Sequence, residues 1–154
     1  METELEARLV EKVKQFLLEL GRGFTYIGNQ YVLEYNGKRS KVDMFFFHRG
    51  LHCLVAIDLK IGGFKPEYAG KMNYYLSLLD RLERCEDENR SNGIILCAEK
   101  DRVEVEMALE DIGKPIGVAG YQLIISQKDL KKIVPDEVEA FGQKLPLCTE
   151  AEQN

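Results

Sequence analysis

A chain of 154 residues, 45% apolar and 31% charged, is long enough to bury one hydrophobic core and too evenly mixed to be disordered, fibrous or of low complexity. Its net charge of −5 argues against a uniformly basic nucleic-acid surface, but it is compatible with a local basic patch and with clustered carboxylates that a cation neutralises. No apolar run approaches the roughly 20 residues that cross a bilayer, and the N-terminal METELEARLVEK is acidic where a signal peptide is basic. The expectation is a cytoplasmic protein without membrane contact. Cys53, Cys85, Cys97 and Cys148 lack CxxC spacing, which points to reduced thiols, not to disulfides or a structural zinc.

Residues 2–20 read as a helix, with Leu5, Leu9, Val13, Phe16, Leu17 and Leu20 at helical spacing and Gly21 and Gly23 ending it. Stepping about 100 degrees per residue, the apolar positions fill an arc of roughly 140 degrees. Glu11 falls on the solvent side, whereas Glu6 falls inside the arc. Glu6 is therefore either a carboxylate snorkelling from the rim of the stripe or one aimed at a site under the helix.

Residues 24–27 and 31–35 are rich in β-branched and aromatic side chains, and Asn36-Gly37 follows them as a strong hairpin signal. Residues 38–47 continue as a strand, His48-Arg49-Gly50 turns the chain, and residues 51–60 form the third strand of an antiparallel meander. That strand is apolar from Cys53 to Ile57, as suits a central strand covered on both faces, and it ends in Asp58-Leu59-Lys60. Pro66 opens a helix carrying Tyr68, Met72, Tyr75, Leu76, Leu79 and Leu82. Residues 93–97 form a buried strand parallel to the third, with the Pro66 helix as crossover. Residues 102–111 read as a helix, 117–125 as the last strand, and a short helix follows Lys128. The order αβββαβαβ describes an α/β protein, a mixed sheet flanked by helices on both sides, with residues 1–147 as one domain and 148–154 as a loose tail.

Three charged residues interrupt apolar strands: Asp43 in Val42-Asp43-Met44-Phe45, and Asp58 with Lys60. Strand alternation sends Asp58 and Lys60 to one face and Leu59 to the other. With a turn centred near Arg49, Asp43 and Asp58 are offset from direct pairing, and a bulge or a different centre brings them closer. Two hard oxygen ligands with spare water positions suit Mg²⁺, with Mn²⁺ as a substitute. Lys60 would orient or help deprotonate the attacking water, or neutralise charge on phosphorus, and Glu6 would supply or orient a third carboxylate. The plainer alternative is a strand-end ion pair between Asp58 and Lys60, with Asp43 terminating a sheet edge. Lys71 and Tyr75 lie four apart on one helix face, where they would meet a phosphate, unless Tyr75 is core and Lys71 simply solvated. Tyr68, Lys65 and Arg49 are further candidates for contacts to a nucleic-acid backbone. His48 and His52 lack metal-ligand spacing and read as surface residues.

Asp43, then Asp58-Leu59-Lys60, preceded by a helix bearing Glu6 and followed by one bearing Lys71 and Tyr75, resembles the pattern of the PD-(D/E)XK nuclease superfamily. More closely, LLELG (17–21), CLVAIDLKIG (53–62), FKPEYAGKMN (64–73), GIILC (93–97) and DIGKPIGV (111–118) resemble the C-terminal nuclease domain of the bacterial YhcG-like family. The resemblance implies a restriction-endonuclease-like core and a magnesium-dependent endonuclease or exonuclease acting on DNA, with Asp43, Asp58 and Lys60 in catalytic positions. Val42 stands where the superfamily usually has proline, and Lys71 where the helix usually has glutamine. Members usually carry a separate N-terminal domain, so DNA targeting is expected from such a domain or from a partner protein. The competing expectation is a non-catalytic module of the same fold, binding nucleic acid or protein in a defence or recombination assembly. A homodimer is a further candidate, with Tyr31 and Tyr35 as exposed contacts.

Overall fold

The structure, a computed structural model, describes residues 2–20 and 23–121, in the first helix without the side chains of residues 2, 3, 5, 6, 16, 19 and 20. The elements run α1 (Glu2–Leu20), β1 (Phe24–Tyr35), β2 (Lys38–His48), β3 (Cys53–Leu59), α2 (Pro66–Leu82), β4 (Asn89–Cys97), α3 (Arg102–Leu109) and β5 (Ile116–Gly120), the order expected from the sequence. The expectations for residue 122 onward, including the helix after Lys128, the tail and Cys148, lie outside the described residues.

The apolar run of β3 sets the architecture, because a strand with no polar face until its end needs cover on both sides. All seven of its residues are buried, and it is the central strand of a sheet ordered β1-β2-β3-β4-β5. Val55 and Ile57 join Met44 and Phe46 under Leu9, Val10, Val13 and Leu17 of α1. Leu54 and Ala56 join Phe45 and Ile95 under Met72, Leu76 and Leu79 of α2. β3 and β4 are parallel, and β2 and β3 antiparallel, so α2 is the crossover of the parallel pair. Cys53 and Cys97 are buried as reduced thiols in these strands, while Cys85 is exposed. Among the described residues, no helix is long and apolar enough to cross a membrane.

The apolar runs at 24–27 and 31–35 belong to one strand, interrupted by a bulge between Tyr26 and Gly28. Its hairpin with β2 closes on Asn36 (φ 54°) and Gly37 (φ 74°), the left-handed pair that a two-residue loop requires. β2 pairs with β3 only from Met44 to His48, so the distal part of the β1–β2 hairpin runs past β3 as an arm roughly 20 Å long. Leu33 and Val42 anchor the arm against Leu78 and Leu79 of α2. Tyr31 does not present the exposed face expected of it. Its ring packs against Phe45 at 4.7 Å between centroids, and its hydroxyl donates to Glu83, because the arm turns this residue inward toward α2. Tyr35, near the turn, remains exposed.

The crossover rests closely on the sheet. A Cβ added to Gly93 would lie 2.7 Å from Cγ and Sδ of Met72, a side chain that is itself buried in the core. Gly93→Ala is expected to lower the unfolding free energy by about 1–3 kcal/mol through overpacking. Urea denaturation checks this, and an unchanged midpoint would show that α2 shifts at no cost.

Candidate active site

The β2–β3 ladder pairs Met44 with Ile57 and Phe47 with Leu54. Its centre therefore lies between Gly50 and Leu51, not near Arg49, because the turn takes residues 49–52 and includes His52 at φ 52°. With that centre, one further ladder step sets Asp43 across from Asp58, so the offset expected from the sequence disappears.

A break in alternation shapes the position of Asp43. Val42 and Phe45 bury in the same core although they are three residues apart, while Met44 buries on the opposite side; a regular strand forbids this. The slip falls where Gln30 (φ 48°) and Asp43 lie between the pairs Asn29–Met44 and Tyr31–Val42. There Gln30 Nε2 donates to Asp43 Oδ1 at 3.3 Å, and the backbone N–H of Leu59 donates to Asp43 Oδ2 at 2.8 Å. The carboxylate of β2 is thus tied to the end of β3.

Lys60 leaves β3 but stays attached to the sheet, its N–H donating to Leu96 O at 2.7 Å. Its Nζ lies 3.2 Å from Asp58 Oδ2 and 4.7 Å from the centroid of the Tyr68 ring. Burial pulls its pKa down, but the charge of Asp58, a hydrogen bond to it and the charge of Asp43 outweigh burial and hold the ammonium above the ordinary lysine value. Lys60 is therefore a cation at neutral pH. The following loop is pinned as well: Ala98 N donates to Gly62 O, Phe64 N to Glu99 O, and the buried Tyr121 hydroxyl donates to Ile61 O.

These residues form the floor of a cleft of about 490 Å³, walled by Arg39, Ser40 and Lys41 of the arm and by Lys71, Tyr74 and Tyr75 of α2. The structure brings Asp43, Asp58, Lys60, Lys71 and Tyr75 into this one space. Tyr68 stands behind Lys60, stacked edgewise on Phe64. Lys65 is the exposed N-cap residue of α2, outside the cleft lining. Arg49 lies at the other end of β2 from Asp43, roughly 20 Å away along the strand. His48 accepts from Leu51 N in the turn, and His52 is half exposed beside Asp87. The side chain of Glu6 lies outside the described residues. Sequence reasoning missed Arg39, Ser40, Lys41 and Tyr74. Tyr74 follows Lys71 by three residues on the same helix face, a signal that was available. The arm residues required knowledge that the hairpin overshoots β3.

Both candidate ligands are aspartates with oxygen donors, and among the described residues no group of three His, Cys, Asp or Glu side chains forms a metal cluster. This set does not suit structural zinc, which needs a closed shell of four ligands. It fits a hard divalent cation that completes its shell with water and phosphate oxygens.

A mixed five-stranded sheet with flanking helices and a carboxylate-x-lysine at the end of its central strand describes the restriction-endonuclease-like class. The profile of the YhcG PDDEXK nuclease domain family matches residues 1–137, and the chain belongs to that family. YhcG of Escherichia coli (strain K12) is 37% identical over 122 residues, covering 79% of this chain but only 32% of its own length. Among solved structures, a repair endonuclease from Pyrococcus abyssi superposes with a TM-score of 0.51 at 18% identity, over 77% of this chain and 45% of the endonuclease. A protein of unknown function, AF1548, gives a TM-score of 0.55 at 14% identity, over 77% of this chain and 59% of the other. At such identities the two structures share the fold alone.

Replacing Lys60 by methionine removes the ammonium that balances two buried carboxylates. Lys60→Met is expected to lower stability by about 1–2 kcal/mol at pH 7 without divalent cations, between the values for exposed and buried pairs. Urea unfolding measures it. A variant as stable as the wild type would mean that the carboxylates need no counter-charge.

Proposed function

We propose that this chain hydrolyses phosphodiester bonds in DNA with a divalent cation, Mg²⁺ with Mn²⁺ as a substitute, held by Asp43 and Asp58. The observation that carries the reading is the pairing of two buried aspartates on adjacent strands with a charged lysine 3.2 Å from one of them. Both acids sit at the floor of a cleft whose walls are cationic. When bound, the cation would supply a Lewis acid for the scissile phosphate and lower the pKa of a coordinated water.

The roles of the chain's own groups follow from their positions. Asp43 is kept in one orientation by the N–H of Leu59 and the amide of Gln30. Asp58 is oriented by the Lys60 ammonium. Lys60, charged and backed by the Tyr68 ring, donates to a phosphate oxygen or holds the attacking water, and offsets the negative charge that grows as the bond breaks. Lys71, joined by Arg39 and Lys41, grips the DNA backbone, with Tyr75 as part of the wall and Lys65 reaching phosphates farther out. Glu6 contributes a third carboxylate from α1. The chain spans about a third of its curated relative, and in this reading the choice of DNA target belongs to a further domain or a partner protein.

Cleavage of labelled DNA in Mg²⁺, in Mn²⁺ and in EDTA tests the proposal. Cutting is expected only with the cations, and Asp58→Ala and Lys60→Ala are each expected to slow it by at least about 100-fold. The melting temperature supplies a second readout, because a cation that binds only the folded state stabilises it by mass action. Mg²⁺ is expected to raise the melting temperature of the wild type and not that of a variant lacking both Asp43 and Asp58. A folded protein that neither cuts DNA nor gains stability from Mg²⁺ or Mn²⁺ would overturn the proposal and leave a binding module.

A further inference from the structure

Tyr74 is the aromatic residue in the cleft that the proposed chemistry leaves unused. It is 45% exposed and lines the cleft beside the two aspartates. Among the described residues, the Tyr74 ring meets no aromatic or cationic partner and its hydroxyl makes no hydrogen bond. The neighbouring tyrosines are engaged: Tyr75 is 7% exposed and belongs to the core, and Tyr68 covers Lys60. A half-exposed ring is ordinary on a protein surface; what sets Tyr74 apart is its place in a cleft beside two aspartates and the cations Arg39, Lys41, Lys60 and Lys71.

The cations around it indicate what that ligand is. Lys71 precedes Tyr74 by three residues, so the two share a helix face, and Arg39 and Lys41 stand on the arm. A cationic groove with an open aromatic face is the arrangement that holds single-stranded nucleic acid, since phosphates follow the charges and an unpaired base stacks on the ring. A duplex offers phosphates and groove edges, with its base faces already stacked on one another, so it has no face to give to Tyr74.

We infer that the cleft takes an unpaired DNA strand, with Tyr74 as the platform on which a base stacks next to the bond to be cut. The inference rests on the nuclease reading of the same cleft and adds its substrate class. Lys71 anchors the neighbouring phosphate, and Tyr74 determines specificity for unpaired over paired DNA.

The test is fluorescence anisotropy of the full chain in EDTA, where no cutting is expected. The probes are a single strand, a blunt duplex and a duplex with one unpaired nucleotide, which separates a free strand from a base extruded from a helix. The single strand, the bulged duplex or both are expected to bind about tenfold more tightly than the blunt duplex. Tyr74→Ala is expected to abolish that preference while leaving blunt-duplex affinity unchanged. Tyr74→Phe, which keeps the ring and loses only the hydroxyl, is expected to retain it. Equal affinity for all three probes, an unchanged preference in Tyr74→Ala, or equal damage from phenylalanine and alanine would overturn the inference and leave the nuclease proposal standing. Failure to bind any of the probes would overturn the inference, while cleavage with Mg²⁺ decides the nuclease proposal separately. A preference for unpaired DNA without Mg²⁺-dependent cutting would overturn hydrolysis and retain the platform.

Discussion

The hydrogen bond from the backbone N–H of Leu59 to Asp43 Oδ2, 2.8 Å long, joins two strands at the point where their ladder ends. β3 has to stop there, because its next residue, Lys60, carries a charge into a cleft instead of continuing the buried run. A buried N–H at such an end needs an acceptor. Asp43 supplies it, and the same contact carries its carboxylate beside that of Asp58. Core and site thus share one bond, and the slip in β2 that allows it costs the strand its regular alternation.

Two acids at 9% and 7% exposure lose hydration, and their compensation comes from the Lys60 ammonium on Asp58 and from the hydrogen bonds that Asp43 accepts. A cation that binds only the folded state, as proposed, would add to its stability by mass action. Around the cluster the structure is firm. The loop after Lys60 is pinned by Ala98, Glu99 and Tyr121, so the ammonium is presented from a fixed backbone.

The charge of the whole chain conceals this distribution. A net −5 is spread over an exterior rich in Glu and Asp, while the cleft gathers Arg39, Lys41, Lys60 and Lys71 around two aspartates. What a polyanion meets is the local field, not the sum. The wall cations Arg39, Lys41 and Lys71 come from two elements far apart in the chain, the arm and α2, and only the overshoot of the hairpin past β3 brings them to one cleft.

Much of the protein was legible in order of residues alone. Periodicity marked α1 and α2, Asn36-Gly37 marked the hairpin, the apolar run marked a central strand, and the spacing of Asp58 and Lys60 placed both on one side of the sheet, since each of these depends on neighbours in sequence. Register was not legible, because one residue more in the turn at 49–52 moves every pairing between β2 and β3. Nor was the slip at Asp43, which needs Gln30 opposite it, nor the inward turn of Tyr31, nor the cationic wall of the arm. Sequence by itself determined which elements form and which side chains are candidates for chemistry; tertiary structure decided where those side chains meet, because distance across a sheet is set by pairing between segments that no local pattern encodes.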